Sequence, residues 1–298
     1  MTIVKNISDL SNIIADQYSK SLKIGLVPTM GSLHNGHLSL IKIAKEKCDV
    51  VWVSIFINPT QFNNLKDYES YPKQNLNDIK ILKSVSSSIY VFFPAVNEIY
   101  NKKIVAQKFK FDNINKVLEG KKRSGHFDGV ATIIMKLFKI FKPSMAFFGE
   151  KDYQQTLVIK RMVSDLLLPV EVLTLPIIRE ENGLAMSSRN SYLNESEKQL
   201  SSEIYKAIEK AATMVRTGAD SLDDIEKNSA YLLEELGFKV EYFSIRRRQD
   251  LKLVNDSIDK TNTFYFMFCS FFIQIRYRQP YRNSLNNFNP VSRRILWW

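Results

Sequence analysis

The sequence predicts an α/β protein: a doubly wound parallel sheet followed by a smaller α+β C-terminal domain. Two observations carry this. Short runs rich in Val, Ile and Phe recur, "IGLVP" from Ile24, "VVWVSIFI" from Val50, "SIYVFFP" from Ser88, "SMAFFGE" from Ser144 and "VEVLTLPI" from Val170. They are continuous rather than alternating, as strands covered on both faces are. Between several of them apolar residues return at helical spacing, as at Leu38, Ile41, Ala44 and Cys48, or at Val130, Ile133, Leu137 and Phe141. Strand and helix in alternation, joined by right-handed crossovers, make a Rossmann-like sheet. Such sheets bind ligands beyond the carboxyl ends of their strands.

After about residue 185 the pattern changes. "SEKQLSSEIYKAIEKAATMVRTGA" reads as one amphipathic helix and "SLDDIEKNSAYLLEELGF" as a second, capped by Ser221, while "KVEYFSIRR" alternates like a half-exposed strand. These runs place a Rossmann-like domain over 1–184 and a small α+β lid domain over 185–256.

From Ser257 the character shifts again. Eleven aromatic residues fall in 257–298, no acid follows Asp259, and all five basic residues after Lys260 are Arg. Neither helical nor strand period is sustained there. The segment reads as a tail from another coding context, a shifted frame, with a genuine lineage-specific ending as the alternative.

The 298 residues, 45% of them hydrophobic, are enough for a sizeable core without staples. Cys48 and Cys269 are too few and too far apart for a disulfide framework or a zinc site, which points to a reducing cytoplasm. Asp9 interrupts any secretory signal in "MTIVKNISDL", and no 18-residue apolar run occurs, so no membrane partner is expected. The net charge of +11 suggests an acidic partner, but 257–298, with six Lys/Arg and one acid, supplies +5 of it. The remaining +6 suits an enzyme of anionic small molecules better than a nucleic-acid binder, for which no reader motif is present.

"VPTMGSLHNGHLSLI" spends two of the chain's three histidines, His34 and His37, just past a strand, with a helix beginning near Gly36 and His37. A helix start presents unpaired N–H groups and a positive dipole end, a seat for phosphate. Two imidazoles there can donate to a triphosphate, more strongly if protonated as charge builds on the leaving oxygens. A capping or surface histidine and a metal pair are the competing readings, the latter lacking a third ligand nearby.

Context decides between them. "PTMGSLHNGH" resembles the signature of nucleotidyltransferases with a His-x-Gly-His type motif. With "FINPTQF" (56–62), "GHFDGVAT" (125–132), "FFGEKDYQQ" (147–155) and "GLAMSSRN" (183–190), in that order, it resembles the pantothenate synthetase family of pantoate:β-alanine ligases, from the N-terminus to about Asp256. The tail after Ser257 departs from that pattern.

The resemblance implies a two-step ligation. Pantoate attacks the α-phosphorus of ATP to give pantoyl adenylate and pyrophosphate, with Mg2+ sharing the charge, and the amine of β-alanine then displaces AMP. It puts ATP on Met30, Gly31, Ser32, Leu33, His34, Asn35, Gly36 and His37, with His37 as proton donor and His34 beside it. ATP also falls to Gly149, Glu150, Lys151 and Asp152, to the backbone of Ile178, and to the phosphate loop Met186, Ser187, Ser188 and Arg189. Pantoate falls to Gln61 and Gln155, and β-alanine to Gln61. Arg123 and His126 are candidates at the pocket's border, and Asp78 is a candidate Mg2+ contact. A homodimer is implied as well. The alternatives are a nucleotidyltransferase that stops at the adenylate of another small acceptor, and a form of the ligase weakened or inactivated by its tail.

Overall fold

The computed structural model describes residues 1–101, 103–254, 265–273 and 293–297. The chain divides into two compact units, one of 1–178 with 186–188, the other of 179–185 with the residues from Arg189 onward. Where the sequence suggests a single cut after residue 184, the chain leaves the first unit at Ile178 and returns to it for Met186–Ser188.

The first unit runs β1 (Thr2–Val4), α1 (Ile7–Ser19), β2 (Ile24–Thr29), α2 (Asn35–Lys47), β3 (Val50–Ile55), α3 (Leu65–Ser70), α4 (Asn75–Val85) and β4 (Tyr90–Phe92). It continues through α5 (Val96–Tyr100), α6 (Leu118–Lys122), α7 (His126–Phe141), β5 (Met145–Gly149), α8 (Tyr153–Asp165) and β6 (Glu171–Leu175). Every pairing in its sheet is parallel and the strand order is β1-β4-β3-β2-β5-β6. The expected α/β class and all five expected strands of the sheet are present. β1 is an addition: three residues, with only Val4 buried, leave too short an apolar run to read as a strand, and pairing with β4 at the sheet edge forms it.

The strand order explains where ligands can go. From β2 the chain steps outward to β3 and β4, then comes back to the other side of β2 for β5 and β6. At such a reversal the loops leaving neighbouring strands turn to opposite faces and open a crevice between them. Here that crevice lies at the carboxyl ends of β2 and β5.

Burial holds the frame rigid. Leu26, Val27, Ile41, Val53, Val91 and Phe147 are all fully enclosed, and each such aliphatic or aromatic side chain contributes roughly 1.5–3 kcal/mol. Trp52, at the centre of β3, satisfies its one donor by giving Nε1–H to Gln17 Oε1 at 3.0 Å.

The second unit contains α9 (Glu195–Thr217), α10 (Leu222–Glu235), β7 (Phe238–Arg247), β8 (Tyr265–Ile273) and β9 (Arg293–Trp297). α9 opens on a capping box between Asn194 and Glu197 and ends at Gly218 in the left-handed region. Ser221 caps α10, as its position before an apolar-periodic run suggests. In β7 the alternation breaks at a bulge between Val240 and Tyr242, which leaves Phe243, Ser244 and Ile245 buried in succession. The carboxylate of Glu226, on α10, accepts the Ile245 N–H at 2.6 Å. Burial pushes its pKa up.

β8 corrects the reading of 257–298 as lacking strand structure. Tyr265–Ile273 pairs antiparallel with the length of β7, and Arg293–Trp297 pairs with β8 in turn. The run is continuous like those of the first sheet, and it is the acid-free, Arg- and aromatic-rich composition around it that sets it apart in the sequence. Most of what the frameshift reading concerns, 255–264, 274–292 and 298, lies outside the described residues.

Candidate active site

The turn after β2 is the most constrained segment of the first unit. Thr29 donates its hydroxyl to the Ser54 carbonyl at 2.8 Å and accepts the Gly31 N–H at 3.2 Å. Gly31 and Ser32 both have positive φ, 81° and 52°. A Cβ on Gly31 would also sit 3.0 Å from Asp78 Oδ2. For Ser32 the left-handed conformation costs roughly 1–2 kcal/mol, offset by Asp78. Its Oδ2 accepts the Ser32 N–H at 2.9 Å and its Oδ1 the Leu33 N–H at 2.7 Å.

Asp78 is fully enclosed; burial raises its pKa and the two backbone N–H groups lower it. Sequence reasoning offers Asp78 as a Mg2+ contact; in this geometry each of its oxygens holds a backbone donor, which gives the carboxylate a structural task of its own. Among the described residues no cluster of three His, Cys, Asp or Glu could hold a metal.

α2 begins one residue earlier than the sequence suggests, because His34 is itself the cap. Its Nδ1 accepts the Gly36 N–H at 3.1 Å, and His37 Nδ1 accepts the His34 N–H at 3.3 Å, a capping box made of two imidazoles. Gly36 is required here, since a Cβ would lie 2.8 Å from His34 Cε1. The ring centroids are 4.1 Å apart. With Nδ1 of each ring accepting, the neutral rings carry their protons on Nε2, so each offers one N–H donor.

Desolvation, helped by Lys151 and opposed by Asp152, lowers the His34 pKa to about 4. Desolvation, then His34 and Lys151, pushes His37 well below its usual value, again against Asp152. Both shifts favour the neutral rings, each with its Nε2–H as donor.

The second loop leaves β5. Gly149 has nothing of the chain within 4 Å of a Cβ built on it, so internal packing does not demand a glycine and the space beside it is open. Glu150, Lys151 and Asp152 form a single 3-10 turn before α8, with Lys151 Nζ 3.1 Å from Asp152 Oδ1. The charges of Lys151 and Asp152 bear on both histidines, which brings the two loops together at the crevice.

On α8, adjacent glutamines diverge. Gln154 is enclosed and saturated, donating to the carbonyls of Ile114 and Val117 and accepting the Glu119 N–H. Gln155 is half-buried.

Gln61 ends the 3-10 turn Pro59–Gln61 after β3 and is 9% exposed. Its Oε1 accepts from Asn58 Nδ2 at 3.0 Å, and its Nε2 lies 3.1 Å from Met30 Sδ. His126 Nδ1 lies 2.7 Å from the Gln61 carbonyl oxygen, and Arg123 donates to that oxygen at 3.3 Å. Both border candidates thus act on the backbone of Gln61. Beneath the turn, a Cβ on Gly129 would lie 2.2 Å from the Thr60 carbonyl oxygen, so α7 approaches this closely only through a glycine.

The segment 186–188 belongs to the first unit. Ser188 donates its hydroxyl to the Ser32 carbonyl at 2.9 Å, with the Gly31 carbonyl at 3.4 Å. The Met186 N–H donates to the Ile178 carbonyl at 2.9 Å. Ser187 stands between them, half-buried, and Arg189 opens the second unit. Sequence reasoning assigned no ligand role to Asn58, Thr60, Tyr100 or Gly129. Gly129, inside "GHFDGVAT", is the one with a local signal, a glycine within a helical pattern.

A family model described as Pantoate-beta-alanine ligase matches residues 2–276. It extends past Ser257 and through β8, so the departure from the family pattern starts later than the sequence reading places it. A pantothenate synthetase of Buchnera aphidicola subsp. Acyrthosiphon pisum (strain Tuc7) is 45% identical over 262 residues, 87% of this chain and 92% of the relative. One from Aquifex aeolicus is 48% identical over 216 residues, 72% of this chain and 76% of the relative. Among solved structures, pantothenate synthetase from Thermus thermophilus superposes with a TM-score of 0.80 at 33% identity, covering 93% of this chain and 95% of that one. Pantoate-beta-alanine ligase from Francisella tularensis, complexed with β-γ ATP and β-alanine, gives 0.76 at 37% identity, covering 92% and 94%.

Proposed function

The chain belongs to the pantoate-beta-alanine ligase family, and from that membership we propose the course by which it carries out the ATP-dependent joining of pantoate to β-alanine. A pantoate carboxylate oxygen attacks the α-phosphorus of ATP, the bond to the bridging oxygen breaks, and pyrophosphate departs. The amine of β-alanine then attacks the acyl carbon of the pantoyl adenylate, loses a proton and expels AMP, leaving the amide. The protein's work is alignment and charge stabilisation rather than covalent chemistry.

In this reading the Nε2–H groups of His34 and His37, with the N–H groups opening α2, donate to the phosphate oxygens on which charge accumulates. Lys151 adds a positive charge and Asp152 takes a ribose hydroxyl. Gln61 and Gln155 orient pantoate. Ser188, whose hydroxyl is committed to the Ser32 carbonyl, serves by holding 186–188 against the turn. Mg2+ enters on the phosphates of its substrate ATP, held by phosphate oxygens and water, since the described residues offer it no cage. A homodimer and a cytoplasmic setting belong to the same proposal, resting on family membership and on cysteine usage. Among the described residues no helix is long and apolar enough to cross a membrane.

The observation that carries the reading is the meeting of the His34/His37 pair, the Lys151–Asp152 turn and the segment 186–188 at the carboxyl ends of β2 and β5. Its test is AMP release from ATP and pantoate with and without β-alanine. Amine-dependent AMP is expected. Pyrophosphate release with no AMP in either arm would favour a transferase that stops at the adenylate, and equal AMP in both arms would mean that water rather than the amine takes the acyl group.

A further inference from the structure

Gln61 can recognise a substrate in two ways, because its amide has a donor end and an acceptor end of nearly equal size. Which end faces outward is fixed from behind. Asn58 Nδ2 donates both to Gln61 Oε1 at 3.0 Å and to the Gly129 carbonyl at 3.1 Å. A carbonyl only accepts, so that end of Asn58 must be the amide nitrogen. At its other end Asn58 Oδ1 accepts the Tyr100 hydroxyl at 2.5 Å and the Thr60 hydroxyl at 3.0 Å. Tyr100 and Asn58 are both buried. Burial keeps the phenol protonated and thus a donor. Gln61 Oε1 is thus turned back to Asn58, and its NH2, which spends one hydrogen on Met30 Sδ, is the end with a second hydrogen for a ligand.

We propose that Tyr100 is a positioning residue for pantoate. Through Asn58 it commits Gln61 to present a hydrogen-bond donor, which selects an acceptor group, a carboxylate or hydroxyl oxygen, on the substrate. The chain of contacts is Tyr100 Oη to Asn58 Oδ1, then Asn58 Nδ2 to Gln61 Oε1. Without the phenol, the Gly129 carbonyl still marks Asn58 Nδ2 and Thr60 still meets Oδ1, but the Asn58 amide loses its shortest anchor, so its hold on Gln61 Oε1 slackens and the Gln61 amide is freer to turn a carbonyl toward an anionic substrate. This inference rests on the reading of Gln61 as a pantoate contact.

The test is a double-mutant cycle on the full chain with Tyr100→Phe and Gln61→Ala, titrating pantoate and, separately, a non-hydrolysable ATP analogue by calorimetry. Tyr100→Phe is expected to weaken pantoate by about fivefold, the worth of one hydrogen bond, with the ATP analogue within about twofold. In the Gln61→Ala background the same change should have no effect on pantoate. Equal weakening of both ligands, an unchanged pantoate affinity, or a penalty that persists in full without Gln61 would each overturn the proposal. If Gln61→Ala alone leaves pantoate binding intact, the fault lies in the reading of Gln61, and the inference falls with it.

Discussion

Asp78 Oδ2 accepts the N–H of Ser32 at 2.9 Å, across 46 residues of sequence, and so holds a non-glycine residue in the left-handed region. Asp78→Asn should test whether that is its task. One carboxylate oxygen becomes an NH2 facing a backbone N–H, which leaves a buried donor unmet at about 1–3 kcal/mol. We expect a lower melting temperature and a raised KM for ATP, with the Mg2+ concentration for half-maximal rate unchanged. A large rise in that Mg2+ requirement would return Asp78 to the metal.

The pH dependence follows from the two imidazoles. Both folded-state pKa values lie below the ordinary 6.5, with His34 at about 4. The unfolded chain therefore binds more protons between those values, so the stabilising contribution is complete above pH 6.5 and is lost as pH falls toward 4. Protonating Nδ1 of His34 would also set N–H against the N–H of Gly36. Thermal melts should show stability declining below about pH 6.5, and kcat/KM for ATP should show no inflexion from these rings between about pH 6 and 8. Histidine NMR titrations with midpoints near the ordinary value for either ring would contradict this.

Gly129→Ala should be among the most damaging single-methyl additions in the first unit. The new Cβ would sit 2.2 Å from the Thr60 carbonyl oxygen, so either α7 or the turn carrying Gln61 must move. Overpacking of this kind costs about 1–3 kcal/mol. Because the displaced residue is Gln61, we expect the KM for pantoate to rise more than that for ATP. A variant with normal kinetics would mean the turn adapts freely.

Gln154→Ala and Gln155→Ala should separate cleanly. Gln154 satisfies two carbonyls and an N–H in the interior, so its loss should cost a few kcal/mol of stability, at about 1–3 kcal/mol per buried group left unpaired. Gln155→Ala should leave the melting temperature within a few degrees and act on pantoate kinetics. Differential scanning calorimetry beside steady-state assays decides it.

Much of the first unit was legible because its signals are local. β2, β3 and β5 are runs of apolar residues, and the ligand turns follow them in sequence. A capping role for His34 was among the readings open in the sequence, but the reciprocal pairing with His37 was not, since the match of imidazole and backbone depends on ring orientation. The hold of Asp78 on the turn was not legible, because nothing within a few residues announces that its partners are Ser32 and Leu33. Tyr100 is 42 residues from Asn58, and their hydrogen bond exists only once α5 is packed in place. β8 escaped notice because the composition around it, free of acids and rich in Arg and aromatics, set the whole of 257–298 aside as a tail.

The imidazole capping box ties two properties that could have been independent. An asparagine at position 34 would finish α2 as well as the ring does, since both offer an acceptor to the N–H groups of the first turn. What the amide lacks is reach: its NH2 sits beside its oxygen, whereas the ring carries its second polar atom, Nε2, on the far side from the backbone. A chain carrying His34→Asn should therefore melt like the parent while catalysing poorly, which means that thermal tolerance gives no protection against silent loss of the chemistry at this helix.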